Sequence, residues 1–207
     1  FTEDEFILRT KNAHDRQAEL ALADPESAKV YGVKGPSALN RSKFFHVVTG
    51  LPSDIMHDIL EGVLPLHIKA LLHRFIMENK YFSLHELNRR ILNFPFGFND
   101  SKNMPSIVKN LNLTDRHMNQ SASQMWCLSR LLPFLIHDLI PDENADWQLF
   151  ADLMKIVDLL FSPVVKKETT FYLAILIQEY LQEFKEAFPA IRIIPKMHFM
   201  VHYPAQI

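Results

Sequence analysis

The sequence predicts a mainly α, bundle-like fold, and two observations support that prediction. Apolar residues recur at three- and four-residue intervals over most of the 207-residue chain, which is the spacing of a buried helix face. Prolines and small polar residues separate these stretches, as they do at helix ends. A hydrophobic fraction of 48% beside 22% charged residues is typical of a globular protein that buries an ordinary core.

The N-terminal part predicts one helix followed by a loop-rich connector. Thr2 and Glu5 have capping-box spacing, so we expect a helix that opens there and continues to about Ala23. Prolines and glycines interrupt residues 24–50, within which the apolar run 44–48 predicts a short strand. We therefore predict an N-terminal region over 1–50.

Residues 51–207 predict a second, helical domain. Its expected helices, in chain order, are 53–64 with a continuation through Pro65 to 76, 83–92, 121–140, 143–161 and 166–188. Ser53 is the expected N-cap of the first of them. The last segment, 191–203, is compatible with extended and with helical structure.

Composition excludes several classes of protein. No apolar run reaches the ~18 residues of a membrane-spanning helix, so we expect no membrane partner. The single cysteine, Cys127, excludes an internal disulfide framework and indicates an intracellular, reducing compartment. The chain opens with Phe1, not Met, and we expect it to be part of a longer protein.

Charge is unevenly distributed along the second domain. Residues 66–135 contain nine Lys or Arg against four Asp or Glu, whereas residues 136–191 contain four against ten. The basic half, between Lys69 and Arg130, is compatible with a DNA-facing surface, since phosphate contacts need Lys and Arg. The same distribution is compatible with helices that pair through opposite charges, which we favour.

Four ionisable residues share one face of the helix predicted at 53–64. At 100° per residue, Asp54, His57, Asp58 and Glu61 fall on a narrow stripe opposite the apolar residues. Like charges at this spacing repel each other, so a functional cluster is one interpretation. A solvated polar face, with acids near the positive end of the helix dipole, is the other.

Histidines suggest two further metal hypotheses. His-Asp pairs occur at 14–15, 57–58 and 137–138, and all-helical metal-dependent phosphohydrolases use such a pair, although ten histidines produce the dipeptide easily by chance. His198 and His202 would lie on one helix face, where they could bind a metal ion together with Asp54 and His57 or simply pack. No phosphate-binding glycine loop or nucleophile elbow is present.

Several blocks resemble CACTA-type (En/Spm) DNA transposases and their derivatives in animal genomes. The specific blocks are Asp54-Ile-Met-His-Asp-Ile-Leu-Glu-Gly62 and Pro195-Lys-Met-His-Phe-Met-Val-His-Tyr-Pro204. Supporting blocks are Tyr31–Gly35, Phe44–Val47 and Ser121–Trp126, which follow in the same order. The resemblance therefore covers most of the chain.

The resemblance implies a helical insertion within a larger RNase H-like core that cuts and joins DNA. In such enzymes three acids hold two Mg²⁺ ions, and they would lie outside this chain. Asp54 and His57 match the family's auxiliary Asp-x-x-His signature, which orders the active-site neighbourhood.

The parent protein would bind transposon ends in the nucleus, with self-association left open. We expect no cofactor and no catalysis in this chain alone. The alternative is a domesticated helical module that binds DNA or protein without catalysis.

Overall fold

The computed structural model describes residues 5–115 and 118–207. The prediction of a mainly helical fold is confirmed, and no β-strand occurs within these described ranges. The described residues divide into two compact units, 5–53 and 54–207. No described helix is both long and apolar enough to cross a lipid bilayer.

The first unit consists of short helices joined by loops. They are α1 (Lys11–Ala23), α2 (Pro25–Tyr31), a 3₁₀ turn (Ala38–Arg41) and α3 (Val47–Gly50). Helix α1 contacts both α2 and α3. The side chain of Thr10 accepts a hydrogen bond from the Ala13 N–H and so caps α1, whereas Asp24 caps α2 in the same way through Glu26.

Two predictions for this unit are wrong. The first helix begins at Lys11, because the cap at Thr10 fixes its start and residues 7–10 carry no regular structure. Thr2, where we expected the helix to open, lies outside the described residues. The strand expected at 44–48 is replaced by the single helical turn α3, where the His46 ring accepts from the Val48 N–H and the Asn40 side chain accepts from the Val47 N–H.

The second unit is built around one long, irregular helical run followed by a bundle. Its helices are α4 (Ile55–Asp58), a π-helical turn (Ile59–Val63), α5 (Leu64–His73), a second π-helical turn (Arg74–Glu78), α6 (Leu84–Asn93), α7 (Ala122–Ile136), α8 (Ala145–Leu160), α9 (Lys167–Ala187), α10 (Pro195–Met200) and α11 (Tyr203–Gln206). Single 3₁₀ turns occur at Ser101–Asn103 and His137–Leu139.

Helix α5 is the centre of this unit. Every residue from Leu64 to Leu72 is buried, and α5 contacts both α7 and α8, while α8 contacts α9. A helix that is buried on all sides needs apolar residues around its whole circumference. The sequence of α5 nearly meets this need: Leu64-Pro-Leu-His-Ile-Lys-Ala-Leu-Leu72. The two polar exceptions, His67 and Lys69, are discussed below.

Helix ends in the second unit differ from the predictions by a few residues. Helix α4 is capped by Asp54 and not by Ser53, because the Asp54 side chain accepts from the His57 N–H. Helix α7 ends at Ile136, followed by a 3₁₀ turn, and not at residue 140. The ambiguous C-terminal segment is helical over α10 and α11.

Candidate functional site

Asp54 and His57 form an exposed, hydrogen-bonded pair at the start of α4. The Asp54 Oδ1 accepts from the His57 N–H at 3.1 Å, and Oδ2 lies 2.7 Å from His57 Nδ1. Both side chains are about half exposed, at 60% and 51%. These hydrogen bonds from His57, the backbone one first, lower the pKa of the Asp54 carboxyl. Asp54 therefore orients the imidazole of His57 and keeps it facing solvent.

The predicted four-residue stripe is only partly correct. Glu61 lies on the same side as His57, with 3.9 Å between its Oε2 and His57 Nε2. Asp58 instead is 6% exposed and accepts a hydrogen bond from the Tyr203 hydroxyl at 3.2 Å. Burial raises the pKa of Asp58, and the hydrogen bond from Tyr203 partly opposes that rise. Asp58 is therefore a packing and hydrogen-bonding residue, and His57 and Asp58 have different partners.

Lys196 joins the C-terminal block to the same helix. Its Nζ donates to the His57 carbonyl at 2.8 Å and lies 3.4 Å from the Glu61 carbonyl. Pro65 has no N–H to offer the Glu61 carbonyl, which an α-helix would pair four residues later. The turn at 59–63 is π-helical, with the Leu64 N–H bonded to the Ile59 carbonyl. The Lys196 ammonium thus satisfies backbone oxygens that this irregular turn exposes.

Gly62 provides the space that Lys196 occupies. A Cβ built at Gly62 would overlap the Lys196 Cδ and would lie 3.2 Å from its Cβ and 3.3 Å from its Cγ. The lysine stem therefore lies directly against the helix backbone. Residues 54–62 and 195–204, the two blocks with the most specific family resemblance, meet through Lys196 and Tyr203.

His198 and His202 are brought together as expected. Their Nε2 atoms are 3.4 Å apart, and both residues are partly buried. Burial, together with the neighbouring His202, lowers the pKa of His198, so the neutral ring is favoured. A metal ion shared between this pair and the Asp54–His57 pair stays a hypothesis.

Several basic residues of the second unit are engaged internally. Arg74 pairs with Asp146, Arg90 with Asp138, and Arg130 with Asp100. The first two pairs join the basic half of the sequence to the acidic half, as the charge-pairing interpretation requires. Lys69 is buried and donates to the Asp115 carbonyl, and burial lowers its pKa. The charge excess between Lys69 and Arg130 is therefore not simply a surface for DNA.

A second polar cluster lies in the first unit. Asp15 Oδ1 is 3.3 Å from His14 Nδ1 and 3.0 Å from His46 Nε2, and it accepts from Asn40 Nδ2 at 3.1 Å. Hydrogen bonds from His46 first, and then from His14, lower the pKa of Asp15. Among the described residues, His14, Asp15 and His46 are the one group of three potential ligands whose atoms all lie within 4.8 Å of one another.

Sequence reasoning noted some members of these sites and missed others. The His14-Asp15 dipeptide was a candidate, but His46 lies 31 residues from Asp15, and no spacing rule links them. Lys196 was missed as a functional position. Its signal is indirect: an isolated Gly62 within a helix and a proline three residues later indicate an irregular turn that needs an external donor.

Comparison of the chain with protein-family models, with curated proteins and with solved structures gave no match. The function of this chain is therefore inferred from the site geometry and from the sequence blocks quoted above.

Proposed function

We propose that this chain is the helical insertion of a DNA transposase of the CACTA-like kind, in which Asp54 and His57 are positioning residues beside an active site. One observation carries the proposal. The blocks 54–62 and 195–204 supply the specific resemblance, and Lys196 bonds to His57 across 139 positions of sequence. A contact of this kind is expected if both blocks support one site in the parent protein.

The residues present do not fit a two-Mg²⁺ centre. Both Asp54 oxygens are engaged by His57, Asp58 is bonded to Tyr203, and these acids do not converge with a third. By the resemblance, the acids that would hold Mg²⁺ lie elsewhere in the parent protein. This chain's part is to hold the His57 imidazole at the surface in a fixed orientation. A nuclear location and binding to transposon ends belong to the same proposal.

A second candidate is a helical interaction module without catalysis. It is favoured by the internal pairing of Arg74, Arg90 and Arg130, since charges used within the fold contribute less to phosphate binding. The fold would be the same under both hypotheses. They differ in whether the longer protein cleaves DNA.

The purified chain tests whether Asp54 acts directly in catalysis. We expect no nicking of supercoiled plasmid by residues 1–207 with Mg²⁺ or Mn²⁺, because the described residues contain no cluster of three acids. The measurement is the conversion of supercoiled to open-circular DNA, with Asp54→Ala as the paired variant. Metal-dependent nicking by the wild-type chain that disappears in Asp54→Ala would overturn the positioning role.

A further inference from the structure

We propose that His14, Asp15 and His46 bind a divalent transition-metal ion such as Zn²⁺. This site lies in the first unit and is separate from the Asp54–His57 pair and from any Mg²⁺ chemistry of a parent transposase. Two imidazoles and one carboxylate are a ligand set that suits Zn²⁺ or Fe²⁺, whereas Mg²⁺ prefers oxygen ligands alone.

The distances within the cluster match the edges of a metal coordination shell. Bonds of about 2.1 Å place neighbouring ligand atoms roughly 3.0 Å apart in an octahedral shell and roughly 3.4 Å apart in a tetrahedral one. The two measured edges are 3.0 Å, from Asp15 Oδ1 to His46 Nε2, and 3.3 Å, from Asp15 Oδ1 to His14 Nδ1. An ion could therefore bind all three atoms with small side-chain movements.

Burial and access are also suitable for an ion. The side chains of His14 and His46 are only 10% and 11% exposed, so their rings are held in place, whereas that of Asp15 is 53% exposed. A cavity of about 290 Å³ is lined by Asp15 and also by Glu19, Asn40 and Arg41. This cavity gives an ion and its remaining water ligands a route to the cluster, with a second carboxylate beside it.

Ion binding requires a proton to move on the His46 ring. His46 Nδ1 accepts from the Val48 N–H at 3.1 Å, so the neutral ring carries its proton on Nε2, where it faces Asp15. An ion at Nε2 displaces that proton to Nδ1, and the Val48 N–H loses its acceptor. Metal binding is therefore coupled to the cap of the α3 turn.

The test is titration of residues 1–207 with Zn²⁺ by calorimetry and with Co²⁺ by visible absorption. We expect one ion per chain at this site, and at least about tenfold weaker binding in Asp15→Asn and His46→Asn. His46→Asn removes the Nε2 ligand but keeps an acceptor that can cap α3, because asparagine is a good N-cap. Circular dichroism checks that both variants remain folded.

Two controls make the result decisive. His85→Ala removes an exposed histidine outside the cluster and should leave affinity unchanged. His198→Gln with His202→Gln removes the other close histidine pair and should also retain the site. The proposal is overturned if the wild-type chain binds no ion, if Asp15→Asn and His46→Asn bind as tightly as wild type, or if binding is lost only in the double glutamine variant.

Discussion

At the scale of single residues, Asp58 shows how burial determines the role of a charged side chain. Its helix position suggested a solvent-facing acid beside His57, yet the carboxylate lies inside the second unit against the Tyr203 hydroxyl. Burial raises the pKa of Asp58 and of Tyr203, so each group favours its protonated form more than it would in water. Their hydrogen bond, followed by the positive charge of Lys196, favours the ionised form of Asp58 against this burial.

We predict that Tyr203→Phe destabilises the protein more at pH 7 than near pH 4. Removing the hydroxyl leaves the buried carboxylate without that donor, at a cost of about 1–3 kcal/mol when it is ionised. The pKa of Asp58 is already raised on folding, so its protonated form contributes stability at low pH that is lost as pH rises. In Tyr203→Phe the pKa of Asp58 should rise further, so the variant loses more folding stability as the pH rises above that pKa.

Urea unfolding at the two pH values measures this difference. Tyr172→Phe, at a half-exposed tyrosine, is the matched control and should change stability little at either pH. An equal loss of stability for Tyr203→Phe at both pH values would contradict the account of Asp58.

The sequence was informative about Asp54 and His57 and less so about their neighbours. Helical spacing placed His57 and Glu61 on one side correctly, since that depends only on local geometry. Helical spacing could not show that Asp58 is buried, because Asp58 lies close to the border between the polar and the apolar face of the helix. Asp58 instead bonds to the Tyr203 hydroxyl, which is 145 positions away in sequence, and local periodicity does not encode such a contact.

At the scale of elements, the π-helical turn at Ile59–Val63 connects α4, which carries His57, to the buried helix α5. Pro65 removes one backbone donor, and the wider turn leaves carbonyls that need a partner. Lys196 on α10 supplies that partner, and it can reach the backbone because Gly62 has no side chain. These three residues together account for the irregular turn.

We predict that Gly62→Ala destabilises the wild-type protein, although alanine is normally preferred in helices by about 0.5–1 kcal/mol. The added methyl group must displace the Lys196 stem and its hydrogen bonds to the His57 and Glu61 carbonyls. In a Lys196→Ala background the same substitution should be neutral or stabilising. A double-mutant cycle of unfolding free energies should therefore give a coupling of about 1–2 kcal/mol.

Additive effects in that cycle would show that Lys196 does not occupy the space at Gly62.

The helix positions themselves were largely predictable, because capping serines at 83 and 121 and the apolar spacing are local signals. The π-helical turns were not predicted, since Gly62 and Pro65 indicate an irregular first turn but not its type, and no proline lies near the second turn at Arg74–Glu78.

At the scale of the whole molecule, each unit has its own polar cluster: Asp54 and His57 on α4, and His14, Asp15 and His46 in the first unit. Within the second unit, α5 also buries His67 completely, among the rings of Phe150, Tyr180, Phe184 and Phe188. Its burial lowers the pKa of His67 to about 3, so the ring stays neutral in the core. His67 is therefore a core residue and no candidate for surface chemistry.

Long-range pairing was the least predictable feature at this scale. The uneven charge distribution indicated that some basic and acidic segments would meet, but it could not identify Arg74 with Asp146 or Arg90 with Asp138. The contact between the two resemblance blocks was likewise implied only by family likeness. Such contacts depend on how the helices pack, which a single sequence specifies only through its complete fold.

We propose for His57 a positioning role in DNA cleavage by a longer protein. His57 is half exposed and Asp54 caps α4 through the backbone, so His57→Ala should leave the melting temperature almost unchanged. The deciding measurement is the rate of Mg²⁺-dependent cleavage of transposon-end DNA by that longer protein. We predict that His57→Ala lowers the rate at least about tenfold, with DNA affinity retained and with His85→Ala as active as wild type. Equal cleavage rates for His57→Ala and His85→Ala, or no cleavage by the wild-type protein, would contradict the claim.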